Sequence, residues 1–332
     1  MKVEQKIEIL DLAIIPYENF ERNDPGSLGV MRRELYENGI VGIRGIPGYQ
    51  AKVQKYIEAN RAFSALPEEI KEAYAPDRSQ GGTFLGYEGG KEKFQRPDGQ
   101  WVIDDLKNSY YGIVPDCARN KWPSEVDLKT PFQDLGALMS KMGVTVMEKI
   151  GLIGGNTGYS LEDVYLLGRL LYYKGANSVA DNPLWCGPHF DHGLFTALIP
   201  AYYYVDGEIV PEPIEAGLFI KTNTEGIYKK VIADDPDVMM FQVGEFAQLL
   251  SNDSIRATEH QVHKAMGYVD RYSMALFIDP SMDTVVHSSS VLTQDPRFGG
   301  DPNGPCSYRS WDAETFKRSI VKDENAGMSE HE

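Results

Sequence analysis

Between Val164 and Ile278 the chain repeatedly sets down short apolar runs broken by turn residues, a rhythm that restricts its fold more than any other feature. The runs are Tyr165–Tyr173, Leu194–Ile199, Gly217–Ile220, Tyr228–Ile232, Val238–Phe241, Phe246–Leu250, Glu259–His263 and Arg271–Ile278. Each has the length of an ordinary strand and is short for a helix. Eight such strands, separated by clusters of Gly, Pro, Asn and Asp, predict two packed sheets in a double-stranded β-helix, or jelly roll. The last run is apolar from Met274 to Ile278 without alternation, which predicts a strand covered on both faces.

Upstream the texture is mixed. Leu28, Met31 and Leu35 fall at helical spacing ahead of a strand at Ile40–Ile43, and Pro67 followed by Glu68 and Glu69 marks a helix start. The longest predicted helix runs from Phe132 to Ile150, with Leu135, Leu138, Met139, Met142, Val146 and Ile150 on one stripe that should back the larger sheet. A last helix is expected over Arg309–Val321, packed through Trp311, Phe316 and Ile320, with a frayed polar tail after Lys322. The expected architecture is an all-β core with flanking helices (α+β). Residues 1–163 form an N-terminal region covering the core, 164–290 the jelly roll, and 291–332 a C-terminal helical segment and tail.

Six histidines limit the metal chemistry open to such a core: His189, His192, His260, His263, His287 and His331. His189-Phe190-Asp191 places an imidazole and a carboxylate two residues apart, and on a strand that spacing turns both to one face while Phe190 and His192 point elsewhere. A third ligand must come from a distant strand. His260 and His263 have opposite parity, and His260 is preferred because Ser251-Asn252-Asp253 reads as a turn feeding a strand whose inward face Val262 continues. Two imidazoles and one carboxylate on one face of a metal leave three positions open, the pattern of mononuclear non-haem Fe(II) oxygenases. Eleven residues beyond His260 (271 minus 260), Arg271-Tyr272-Ser273 opens the doubly covered strand, and a buried guanidinium there calls for an anion.

These segments resemble the isopenicillin N synthase-like branch of the 2-oxoglutarate/Fe(II)-dependent dioxygenases. Gly187-Pro188-His189-Phe190-Asp191-His192-Gly193-Leu194-Phe195-Thr196 is similar to the branch's His-x-Asp-x-Gly-x-x-Thr run, and Val243-Gly244-Glu245 through Leu250-Ser251-Asn252 to its G-D…S-N segment. Glu259-His260-Gln261-Val262 looks like x-H-R-V, and Arg271-Tyr272-Ser273 through Asp279-Pro280 like R-x-S-x-x-x-F-x-x-P. Upstream, Ile7–Leu12 is similar to the opening strand, and Leu66-Pro67-Glu68-Glu69-Ile70-Lys71 to an L-P-x-E-x-K helix start, so the likeness covers most of residues 5–320. Two departures stand out. Where the branch often has Asn-x-Tyr, this chain has Leu171-Tyr172-Tyr173, so only Tyr173 carries over. The 71 residues from His189 to His260 (260 minus 189) exceed the usual gap and place an insertion around Ala201–Pro213.

The resemblance implies a cupin-like jelly roll that binds Fe(II) through His189, Asp191 and His260. It also implies 2-oxoglutarate, held by Arg271, Ser273 and Tyr173, and O₂ as the oxidant. The implied activity is hydroxylation or desaturation of a small-molecule substrate with release of succinate and CO₂. Halogenation is disfavoured because Asp191 occupies the position that halogenating members leave small. Two other readings remain: an Fe(II)/O₂ oxidase of the same branch that uses no 2-oxoglutarate and turns Arg271 and Ser273 to the substrate's own carboxylate, and a non-catalytic jelly-roll binding protein.

A net charge of −16 argues against a nucleic-acid partner, whose affinity rests on many Lys and Arg contacts. The apolar stretch Leu12–Pro16 is too short for a signal or a membrane span, so no membrane partner and a cytoplasmic protein are expected. Cys117, Cys186 and Cys306 are scattered and odd in number, which suggests neither a disulfide framework nor a zinc site. Cys186 lies near His189, but a small apolar packing role is expected for it. Gly86–Gly90 lacks the ending of a phosphate loop and is taken as flexible, within a candidate lid Thr83–Tyr111 whose Tyr87, Tyr110 and Tyr111 are candidate substrate contacts. Tyr202-Tyr203-Tyr204 is a further candidate for substrate contact, but a barrel-wall strand is the preferred reading.

Overall fold

A computed structural model describes residues 7–76, 85–90, 93–95, 100–103, 106–154, 164–176 and 183–319. In chain order the strands of its two principal sheets are β1 (Ile9–Leu10), β2 (Ile14–Pro16), β3 (Ile40–Arg44), β4 (Gly86–Gly89), β5 (Lys107–Ile113), β6 (Val164–Tyr173), β7 (Leu184–His189) and β8 (Phe195–Leu198). They continue with β9 (Tyr202–Val205), β10 (Glu208–Val210), β11 (Gly217–Lys221), β12 (Tyr228–Val231), β13 (Val238–Val243), β14 (His260–His263) and β15 (Asp270–Pro280). The smaller sheet has the order β1-β12-β11-β14-β7, and the larger β2-β3-β13-β8-β15-β6-β5-β4, with the β9–β10 hairpin attached to β15. This is the jelly roll, with helices on the outer face of its larger sheet.

Strand β15 shows why its run lacks alternation. Met274, Leu276 and Ile278 are fully buried on the helix side, roughly 1.5–3 kcal/mol of apolar burial apiece, while Arg271, Ser273, Ala275 and Phe277 face the cavity between the sheets. The helix side is covered by α1 (Pro25–Glu37), α2 (Tyr49–Ser64) and α3 (Lys129–Ile150). Asp24 caps α1 by accepting from Ser27 N at 2.8 Å. Helix α3 buries Leu135, Met139, Met142 and Val146 against the larger sheet as its stripe predicts. It approaches so closely at Gly143 that a Cβ there would collide with Ile278 Cδ1.

Three local expectations change. Phe246–Leu250 is not a strand but a short helix, α4 (Glu245–Leu250). Its residues from Glu245 to Leu249 are all buried, which erases the polar side that would have revealed a helical period. Leu184–His189 pairs with β14 as strand β7, a strand hidden in the sequence by Pro183 and Gly187-Pro188. Gly86–Gly89 and Lys107–Ile113 are paired strands of the larger sheet rather than loop, and the remainder of Thr83–Tyr111 lies partly outside the described residues. Tyr87 and Tyr110 pack edge-on against Phe63 of α2 in the helix-side core, away from the cavity. Tyr111 is buried with Leu85 and Ile113 and has Arg169 above its ring.

Tyr202-Tyr203-Tyr204 does form a wall strand, β9, and residues 201–213, where an insertion is expected, contain the β9–β10 hairpin. At the C-terminus α5 (Tyr308–Ser319) buries Trp311; Ile320 and the tail lie outside the described residues. Among the described residues, no helix is long and apolar enough to cross a membrane.

Candidate metal centre and its pocket

His189 and His260 face each other as a register pair of β7 and β14, with ring centroids 4.1 Å apart. Asp191 completes the group. Its Oδ1 stands 3.9 Å from Nε2 of each histidine, and the three donor atoms lie within 4.8 Å of one another. Asp191 does not arrive by strand alternation: β7 ends at His189, and the carboxylate is carried back by the loop that follows. That loop is pinned by the first turn of α4, where Glu245 N donates to Asp191 O at 2.8 Å and Phe246 N to Gly193 O at 3.0 Å. Phe190 points outward and is 41% exposed, as its parity predicts.

Each donor has its other heteroatom engaged, which selects the atom that faces the pocket. His189 Nδ1 lies 2.8 Å from Gly187 O, so its N–H donates there and Nε2 is the nitrogen turned to the pocket. His260 Nδ1 lies 3.2 Å from Thr258 O and 2.6 Å from the Gln242 side-chain amide. With the amide oxygen turned toward the ring, Gln242 accepts from Nδ1–H and its otherwise unpartnered Oε1 is satisfied. Thr196 Oγ1 donates to Asp191 Oδ2 at 2.6 Å and leaves Oδ1 for the pocket.

Charges in the metal-free centre are shared unequally. Burial disfavours an imidazolium at His189, but Cys186, Asp191 and the Gly187 carbonyl outweigh it and push the ring up to about 9. Burial and the neighbouring charge of His189 pull His260 down to about 4. For Asp191, burial opposes ionisation and the two imidazoles more than offset it, so its carboxyl is held below the usual range.

Arg271, Ser273 and Tyr173 line the same cavity as the triad. The guanidinium is buried, sits 4.9 Å above the Tyr173 ring and donates from Nε to the Tyr203 hydroxyl at 3.2 Å. Its Nη1 finds no hydrogen-bond partner among the described residues. Ser273 Oγ is 3.3 Å from Ile199 O. Lys107 and Arg169 add two more cations to the wall, and Cys186 is part of that wall, 3.8 Å from His189 Nδ1. His263 faces away, stacked on Phe219 with ring centroids 3.9 Å apart, and His192 turns to Asp312 at 2.8 Å. Another cavity, bounded by Arg32, Leu152 and Ser254, brings together no acid, imidazole or thiol.

Thr196, Gln242, Tyr203 and Glu212 also reach this pocket or the side chains that line it; the sequence gives Thr196 a place in a motif and Tyr203 a place in a wall strand, and it points to neither Gln242 nor Glu212. Thr196 could have been found, since it closes the motif that holds His189 and Asp191; the others carry no local signal.

Residues 169–280 match the family model described as the 2OG-Fe(II) oxygenase superfamily. A homoarginine-6-hydroxylase of Arabidopsis thaliana is 24% identical over 81% of this chain and 78% of its own length. A 2-oxoglutarate-Fe(II) type oxidoreductase of Metarhizium rileyi is 26% identical over 85% and 83%. Among solved structures, a 2OG-Fe(II) oxygenase family protein from Caulobacter crescentus superposes with a TM-score of 0.71 at 19% identity, covering 93% of this chain and 99% of its own. A dioxygenase for auxin oxidation in rice gives 0.66 at 19% identity over 95% and 98%.

Proposed function

We infer that this chain, which belongs to the 2OG-Fe(II) oxygenase superfamily, holds Fe(II) through His189 Nε2, Asp191 Oδ1 and His260 Nε2 and grips 2-oxoglutarate through Arg271 and Ser273. On that reading it oxidises a small molecule. The residues present fit both groups. Two imidazoles and a carboxylate are the facial donor set of non-haem iron. The 3.9 Å separations need only a small inward shift of the side chains to meet one ion. The buried Arg271 Nη1 lacks the acceptor that a carboxylate would bring, and this is the observation that carries the co-substrate assignment.

Iron with 2-oxoglutarate and O₂ supplies the oxidising chemistry: substrate C–H becomes C–OH, or two hydrogens leave as water to form C=C, as the oxo-acid becomes succinate and CO₂. The chain's own contribution is placement. Gly187, Thr258 and Gln242 fix each imidazole with Nε2 inward, and Thr196 fixes the carboxylate. Arg271 neutralises the far carboxylate of the oxo-acid out of contact with water, where an unpaired anion would cost several kcal/mol. Tyr173 floors the guanidinium with its ring, and Ser273 adds a hydroxyl on the same strand face.

The test mixes protein, Fe(II) and 2-oxoglutarate. Without air a visible absorption band should develop when the oxo-acid is added, and under air succinate should accumulate even without substrate. A visible band with no succinate on aeration, or neither signal from an iron-loaded protein, overturns the reading. Substrate oxidation without 2-oxoglutarate would turn Arg271 and Ser273 to the substrate's own carboxylate.

A further inference from the structure

Residues 201–213 contain the β9–β10 hairpin, and its register sets Tyr203 directly opposite Arg271. Arginine offers only donors, so the 3.2 Å contact from Arg271 Nε must end on the Tyr203 oxygen. The phenol O–H therefore donates to Glu212, whose Oε1 is 2.9 Å from the hydroxyl. Glu212 follows the hairpin between Pro211 and Pro213, and Lys230 of β12 stands 3.7 Å from the same oxygen. The Lys230 ammonium also donates to the carbonyls of Pro213 and Ala216 at 2.5 Å each, which anchors the segment that follows the acid.

Tyr203, Lys230 and Arg271 are buried and the Glu212 side chain is 9% exposed, and three of the four are formally charged. The site is closely packed around the acid. Gly217, at φ +93°, has no side chain where a Cβ would collide with Glu212 Oε1 and stand 2.8 Å from the Tyr203 hydroxyl. A buried ion pair is a costly way to fill space if shape alone is required. Here its effect is directional: the line Lys230–Glu212–Tyr203 ends on the Nε edge of Arg271 and leaves Nη1 without a hydrogen-bond partner among the described residues.

We propose that Tyr203 and Glu212, backed by Lys230, are positioning residues that hold Arg271 in the orientation that receives the distal carboxylate of the oxo-acid. The proposal rests on Arg271 being the oxo-acid anchor. It gives the β9–β10 hairpin a defined task, since removing the hydroxyl at 203 frees the guanidinium to rotate about its side chain and takes from Glu212 the phenol that links it to Arg271.

The test compares two ligands by calorimetric titration of the Mn(II)-loaded protein. 2-Oxoglutarate engages metal and Arg271 together, whereas oxalate can chelate the metal but has no distal carboxylate. Tyr203→Phe should weaken 2-oxoglutarate about tenfold while the oxalate affinity stays within about twofold. Glu212→Gln should move the same ratio in the same direction, and serves if the first variant fails to fold. In turnover, KM for 2-oxoglutarate should rise by more than kcat falls. Equal weakening of both ligands, or no change in either, overturns the proposal. A wild-type protein that binds Mn(II) and oxalate but not 2-oxoglutarate overturns the functional reading itself.

Discussion

At the metal end of the pocket, the atoms that face away from the centre are tied to Gly187 O, Thr258 O and Thr196, each within five residues of the side chain it holds, with the Gln242 amide, 18 residues from His260, as the one distant support. At the other end, Arg271 is held by Tyr203, 68 residues away, and Tyr203 by an acid that is itself held by a lysine. One end is set mainly by the local main chain, the other by side chains on side chains. Main-chain supports persist when neighbouring side chains change, so the metal end should be all-or-none, sensitive to its ligands and to little else. A chain of side chains can be weakened link by link, so the anchor end should respond in steps.

The largest expected effect is at the metal end. Asp191→Ala removes the donor that lies equally far from both imidazoles and places two histidine rings together without a carboxylate. Metal affinity should fall more than a hundredfold and oxo-acid turnover should vanish, and His260→Ala should do the same. Turnover near wild type in either variant would remove that residue from the centre.

Next in size is the response to pH. In the metal-free pocket His189 is pushed up to about 9, so near neutrality it carries a proton that an incoming ion must displace. His260, pulled down to about 4, has none to lose. Metal binding should therefore release one proton, and apparent affinity should rise about tenfold per pH unit, roughly a hundredfold from pH 6 to pH 8. It should level off as pH passes through the His189 value. Two protons released would show that His260 is charged as well, and none would show that His189 is neutral. Burial works against the Arg271 cation, but the Tyr203 and Tyr173 phenols hold it charged, so at saturating metal the oxo-acid affinity should stay flat across the same range. The two ends should separate in one titration series.

The same contrast explains what could be read in the sequence. His189, Asp191, Arg271 and Ser273 stood out because their chemistry sits in pairs two residues apart, and the strands around them declare themselves by length and turns. Asp191 stands beside the two imidazoles, but the loop pinned by α4, rather than alternation, brings it there. Phe246–Leu250 was misread because burial on every side removes the period that distinguishes helix from strand. Glu212 gave no signal at all. Its meaning lies in a hydroxyl across a hairpin and an ammonium on another sheet, and neither proximity exists until the chain has folded.

At the anchor end, Arg271→Lys keeps the charge but replaces a planar fork with a single ammonium. It loses the Nε contact to Tyr203 and the stacking over Tyr173 together. Affinity for 2-oxoglutarate should fall about tenfold, near 1.4 kcal/mol, with metal affinity unchanged. A loss as complete as that of Asp191→Ala would mean that the two ends fail alike, and the contrast between them would be lost.

The smallest effect should come from the histidine three residues beyond the ligand. His263 shares β14 with His260, and opposite parity turns its ring onto Phe219, with Gln261 Nε2 2.9 Å from its Nε2. Burial and the Lys230 charge pull it down to about 4, so it is neutral at pH 7 and contributes no field to the pocket. Replacement by alanine removes a stacked ring at a half-buried position, which should lower stability by about 1 kcal/mol while leaving metal affinity within about twofold. One strand thus supplies a residue the centre cannot lose and, three positions on, one it barely notices. Should His263→Ala abolish metal binding while His260→Ala spares it, β14 presents its other face to the pocket, and the register that pairs His260 with His189 is wrong.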